Sequence, residues 1–213
     1  YFFKVYFFLK NREYNGYLND LNFLNNNFDE SNELKKIFLS DKYLNNKIQD
    51  ERSYPYHSFD WLKTSKDMGG ANNLIRTKKH LIFWSENKYK KKLFVWHNFL
   101  VSKRFINLIY NYDFYAISAS TDEKNKFDNL VLEHFILLEL EIKNKTLNLI
   151  SIEEYKAFAL GSLIYNKNIK KLTNLLINII SFQIDKNGFH KSYNPLKQAE
   201  FINNLYEIRN IFL

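Results

Sequence analysis

The stretch Gln183-Ile184-Asp185-Lys186-Asn187-Gly188-Phe189-His190-Lys191-Ser192-Tyr193-Asn194-Pro195-Leu196-Lys197-Gln198 separates two apolar, helix-period segments, and its reading decides the architecture. It holds one of five Gly, one of two Pro and one of five His in the chain. Asn187-Gly188 predicts a tight turn, because Gly takes positive φ without a Cβ clash and Asn tolerates it. Asn194-Pro195 predicts a helix start, with the Asn side chain capping orphan N–H groups and Pro pre-set for the first helical position. The segment therefore reads as helix, turn, exposed strip, helix. Phe189, His190, Lys191, Ser192 and Tyr193 lie on the strip, where imidazole and phenol groups can meet a ligand.

Working outward, Ile169, Leu172, Leu175, Leu176, Ile179 and Ile180 form an amphipathic helix upstream, and Leu196, Ala199, Ile202, Leu205, Tyr206, Ile208 and Ile211 form one downstream. Ser151 with Glu154 fits a capping box opening a helix to Tyr165. Thr121-Asp122-Glu123 supplies a cap and two acids for a helix running to about Lys143. Leu93 to Tyr110 is one long helix or two short ones, ending at Tyr112-Asp113-Phe114-Tyr115. A helix spans Asn72 to Asn87, followed by a basic turn at Lys88 to Lys92. Another opens at His57-Ser58-Phe59-Asp60-Trp61-Leu62 and stops at Met68-Gly69-Gly70. Lys47 to Tyr56 reads as a connection, Tyr43 to Ile48 as extended, and Ser31 onward as a short helix.

The chain is thus read as all-α, about eight helices in series, with residues 1–50 a partly extended lead-in and residues 51–213 one helical domain. Helices of similar length suggest stacked pairs, in an α/α toroid or a solenoid, and the lack of a fixed-period motif argues against the solenoid. A start at Tyr1 and a stop at Leu213 directly after a helical pattern suggest a fragment of a longer protein.

With 46% hydrophobic and 18% aromatic residues in 213, the chain has ample material for a core. No run reaches the roughly 18 apolar residues of a membrane span. Zero Cys excludes disulfides and thiolate metal sites. A net charge of +8 fits an anionic partner, although the abundance of Lys, Asn and Ile expected of an AT-rich genome explains it equally simply. Basic residues are spread along the chain, which gives nucleic-acid binding no specific support.

The five His form no metal set, since none are paired at helical i, i+4 spacing. His134 lies on an apolar helix face and reads as a satisfied core residue, while His57 caps or packs the helix at Trp61. Trp96 and His97, with Arg104 two turns on, are candidates to line a pocket. His190, held between a turn and a Pro, is the leading functional candidate.

Three stretches in order resemble the N-terminal helical region of heparinase II/III-family polysaccharide lyases. They are H-S-F-D-W-L-K-T-S-K-D-M-G-G at His57 to Gly70, the segment Trp96 to Phe114 containing R-F-I-N-L-I-Y-N-Y-D-F, and Q-I-D-K-N-G-F-H-K-S-Y-N-P from Gln183 to Pro195. The resemblance covers about residues 30 to 213. It implies an incomplete α/α toroid followed, in a complete protein, by a β-sandwich that supplies further catalytic and sometimes zinc-binding residues; no cofactor is implied for this segment. The implied partner is an acidic polysaccharide and the implied compartment the periplasm or cell envelope.

The implied reaction is β-elimination on a uronic-acid-containing chain. A base removes the C5 proton, a polar group neutralises the carboxylate, and an acid protonates the departing glycosidic oxygen. Tyr often serves as base or acid there, with its phenol tuned by positive charge. By this resemblance His190 and Tyr193 are the catalytic candidates, and Asn187, Lys197, Arg104, Trp96 and His97 the substrate-binding candidates. The chain departs from the family pattern at three places. Lys197 stands where the catalytic Tyr is usual, Asn187 stands where Asp is usual, and Asn148-Leu149-Ile150 replaces the expected Asn-His pair. Those departures keep open a second reading, a non-catalytic helical domain that binds glycan or protein.

Overall fold

The computed structural model describes residues 54–86 and 93–213. The lead-in of residues 1–50, with its short helix from Ser31 and extended Tyr43 to Ile48, lies outside the described residues, as does the basic turn at Lys88 to Lys92. The described chain is helical: α1 Tyr54–Ser58, α2 Trp61–Met68, α3 Ala71–Glu86, α4 Asn98–Tyr110, α5 Tyr112–Ala116, α6 Thr121–Asn144, α7 Ile152–Ile164, α8 Ile169–Gln183 and α9 Pro195–Phe212. Single 3₁₀ turns cover Leu93–Trp96 and Leu147–Leu149. Among the described residues the one extended pairing is an isolated antiparallel bridge, Ile184 to His190. No helix among them is long and apolar enough to cross a membrane.

The chain divides within α6 into two compact units, one through Ile136 and one from Leu137 onward. In the first, α4 packs on α1, α2 and α5, and α3 packs on α2 and α5. The helix expected to open at His57 is instead interrupted. Phe59 takes φ 63 between α1 and α2, which carries its ring, wholly buried, into edge contacts with Trp61 at 5.7 Å and Trp84 at 5.1 Å. Asn107 closes the break by donating its side-chain amide to Ser58 O at 3.0 Å and Asp60 Oδ1 at 2.8 Å. Burial of one aromatic ring thus outweighs helix continuity. The connection expected to reach Tyr56 is helical from Tyr54.

Other signals behave as their local chemistry dictates. Gly69, at φ 60, ends α2 by donating its N–H to Ser65 O and Lys66 O. Leu93 to Tyr110 resolves into a 3₁₀ turn and α4, and the segment expected only to end it becomes the extra helical turn α5. The cap of α6 is Ser120 rather than Thr121. Ser120 Oγ accepts from Glu123 N at 3.3 Å while the Glu123 carboxylate accepts from Ser120 N at 2.8 Å, a reciprocal box one residue earlier than expected. Along α6 the residues Phe127, Leu130, Val131, His134, Phe135 and Leu138 are buried, as their 3.6-residue spacing predicts.

In the second unit α7 packs against both α8 and α9. It begins at the predicted capping box: Ser151 Oγ accepts from Glu154 N at 3.1 Å, and Glu154 Oε2 accepts from Ser151 N at 2.8 Å. Its core joins Ile150, Ile152, Tyr155 and Ala159 to Ile179 of α8 and to Phe201 and Ile208 of α9. The buried stripe of α9 is Phe201 and Ile208, with Leu205 and Phe212 packed beside them, whereas Leu196, Ala199 and Ile202 are exposed. Positions spaced by four and three satisfy helical geometry for both candidate faces, and packing on α7 selects this one. Polar ties fix the three helices. Tyr155 Oη donates to Leu172 O at 3.0 Å, Gln183 Nε2 donates to Ile150 O at 2.7 Å, and Lys156 pairs with Glu207 at 2.7 Å. Burial pushes the Tyr155 phenol up, so it stays a donor.

Candidate functional site

The residues singled out by sequence fall into two sets, one in each compact unit. In the first unit Arg104 is enclosed, with none of its surface exposed. Its guanidinium lies over Trp84 at 4.7 Å and Trp96 at 5.2 Å. Nε donates to His134 Nε2 at 2.8 Å, Nη1 to His57 O at 2.8 Å and Nη2 to Val95 O at 2.7 Å. Burial pushes the guanidinium down to about 9, opposed by nearby Glu133, so it remains charged at neutral pH. A fork committed in this way to internal carbonyls, an imidazole and two indoles has no face left for a sugar, and the expected Arg104 contact is corrected to a structural one.

The neighbouring histidines follow the same logic. His134 is fully buried; because its Nε2 accepts from Arg104, Nδ1 carries the proton and donates to Leu130 O at 2.8 Å. His57, also buried, accepts from Trp84 Nε1 at 3.1 Å through Nδ1. Both are core residues, as their positions in the sequence suggest. Trp96 is half-buried against Trp84 and His134 at ring distances of 5.8 and 5.6 Å. His97 precedes α4 with an exposed side chain that makes no capping hydrogen bond.

The second set shares one loop between α8 and α9. Gly188 sits at φ 85, and the turn closes through Gly188 N to Asp185 O at 3.1 Å and Asp185 N to Phe189 O at 2.8 Å. Lys191 N extends the ladder to Gln183 O at 2.8 Å. Asp185, which sequence reasoning passed over, organises the turn. Its Oδ1 accepts from Asn187 N at 2.8 Å and Phe189 N at 3.0 Å, and its Oδ2 from Tyr193 Oη at 3.2 Å. The Phe189 N–H above all, then those of Asn187 and Gly188 and the Tyr193 hydroxyl, hold this carboxyl below its ordinary range. An Asp two residues before Asn-Gly was the available signal, since short acidic side chains bond backbone N–H groups just ahead of them.

His190 is half-buried and anchored on several sides. Its N–H donates to Gln198 Oε1 at 2.5 Å, and its ring meets Phe201 edge-on at 5.8 Å. Nδ1 lies 2.8 Å from Ser192 Oγ and accepts from Ser192 N at 3.2 Å. Gln198 also donates through Nε2 to Gly188 O at 3.3 Å, which ties the turn to the first turns of α9. Tyr193 is 75% exposed and holds φ 51, an uncommon value for a side chain with a Cβ. Asn194 caps α9 as predicted, its Oδ1 accepting from Leu196 N at 2.9 Å and Lys197 N at 3.4 Å. Asn187 is exposed at the turn, and Lys197 is exposed on α9, paired with Glu200 at 3.0 Å.

The structure thus brings Asn187, His190, Tyr193 and Lys197 into one loop and its adjoining helical turn, while Trp96 and Arg104 stack in the other unit. Among the described residues no three His, Asp or Glu side chains are grouped as a metal site. The chain matches no protein-family model, no curated protein and no solved structure.

Proposed function

We propose that this chain is the helical part of a polysaccharide lyase of heparinase II/III type, acting by β-elimination on a uronic-acid-containing chain, with the Asp185 to Gln198 loop contacting the glycan. On this reading its helices belong to an incomplete α/α toroid, its partner is an acidic polysaccharide, and it works in the periplasm or cell envelope. The observation that carries the reading is the loop's construction. Two polar side chains stand on a turn already braced by backbone and side-chain hydrogen bonds, so little ordering is left for the moment of binding. Tyr193 adds an exposed phenol on a left-handed backbone, a conformation that persists only where surroundings over-determine it and that clusters at functional sites. Phe189 and Tyr193 offer apolar ring faces to a sugar, and Lys186, Lys191 and Lys197 supply positive charge for its carboxylates.

The second reading, a glycan- or protein-binding domain without catalysis, is favoured by one feature: Lys197 occupies the position where the resemblance leads one to expect the catalytic Tyr. One assay separates the two. The intact protein is incubated with heparan sulfate, alginate and other uronate polymers while the ultraviolet absorbance of the unsaturated product is followed. Product formation lost in His190→Ala, with unfolding behaviour retained, supports the lyase. Absence of product on every uronate leaves the binding reading.

A further inference from the structure

Resting on the lyase reading, we infer that His190 serves as a fixed hydrogen-bond donor through Nε2–H toward an acceptor oxygen of the glycan, and that Ser192 and Gln198 are the positioning residues that set this orientation. The tautomer follows from obligatory donors. The Ser192 N–H can only donate, and it points at Nδ1 from 3.2 Å, so in the neutral ring Nδ1 is the lone-pair side. Ser192 Oγ, 2.8 Å from the same nitrogen, can rotate its proton toward it while receiving Asn194 N at 3.4 Å. The ring proton then belongs on Nε2, for which the described residues provide no hydrogen-bond partner.

Orientation is set from the other side. Gln198 lies eight residues away, yet it receives the His190 N–H at 2.5 Å and donates to Gly188 O at 3.3 Å, bracketing Phe189 and tying the start of the strip to α9. Phe201, 2% exposed, supports the imidazole edge-on and prevents it from collapsing inward. A neutral imidazole fixed as a donor cannot abstract the C5 proton, because its lone pair is engaged. The groups it suits are the uronate carboxylate and the glycosidic oxygen, which accept hydrogen bonds. The proton-abstracting base is therefore a different residue.

The test reads the ring nitrogens directly. Proton–nitrogen correlation spectra are recorded on the intact protein carrying isotope-labelled histidine, at a pH where imidazole is neutral, with His190→Gln identifying the resonances. The expected pattern places the proton on Nε2 in the parent, and Gln198→Ala shifts both nitrogens toward the averaged position of an unfixed ring. Gln198→Asn, too short to span both contacts, gives the same shift, whereas Gln198→Glu retains the acceptor for His190 N–H and with it most of the parent pattern. A parent ring protonated on Nδ1, or averaged, overturns the tautomer assignment. An unchanged ring in Gln198→Ala overturns the positioning role. Added alginate oligouronate is expected to move the Nε2 signal while a neutral oligosaccharide of equal length does not, and an unmoved signal overturns the donor role. Failure of the elimination assay with these signatures intact counts against the lyase chemistry alone.

Discussion

The Arg104 cluster and the Asp185 to Gln198 loop are made of similar parts and reach opposite outcomes. Each brings histidine together with aromatic rings and a charged side chain. Around Arg104 the donors of the guanidinium end on His134, His57 O and Val95 O, and indole rings cover its faces. In the loop, Asp185 is spent on backbone N–H groups and the Tyr193 hydroxyl, while His190 is anchored through its backbone N–H, Nδ1 and ring edge but keeps an Nε2 with no hydrogen-bond partner among the described residues. A buried polar side chain whose donors all end on internal partners belongs to the fold, whereas a partly exposed one can keep a polar group unbonded.

The comparison breaks first at Arg104. Arg104→Met should lower the unfolding free energy by about 3–5 kcal/mol, because three internal acceptors lose their donor in a dry interior. Urea unfolding measures this, and a loss below about 1 kcal/mol would mean the cluster is not structural. Next comes Gly188→Ala. Nothing lies within 4 Å of the added Cβ, so the penalty is that of placing a side chain at φ 85 alone, about 1 kcal/mol. A larger loss would show that the loop supports the fold as heavily as the interior cluster does.

The smallest effect sharpens the role of Asp185. Its carboxyl is held below the ordinary range, so its contribution to loop order is present above the unfolded carboxylate pKa and disappears as pH falls through the lowered folded value. Acid titration followed by the Phe189 and Asn187 amide shifts should show one transition at or below the usual Asp range. Asp185→Asn should abolish that transition and leave the helices intact. A transition above that range would contradict the bonding seen here.

Much of this organisation was legible because its causes are local. The Ser151–Glu154 box, the Gly69 stop, the Asn187-Gly188 turn and the Asn194-Pro195 start each depend on a few consecutive residues and backbone geometry. So does the reading of His134 as a core residue, since it rides an apolar helix face. The misread details arose where distant residues compete. The 3.6-residue period allows two faces for α9, and only α7 chooses the one containing Phe201. The helix at His57 reads as continuous until Trp84 and Trp61 claim the Phe59 ring.

The residues alone therefore determined the helical class of the described chain, most of its punctuation and the turn between α8 and α9, because capping, turn propensity and periodicity act over one or two turns. Only the tertiary structure decided that Arg104 lies inside, that Asp185 organises the loop and that Gln198 and Phe201 hold His190. Whether a polar group is satisfied depends on which partners the packed chain brings within hydrogen-bond distance, and no short window of sequence carries that information.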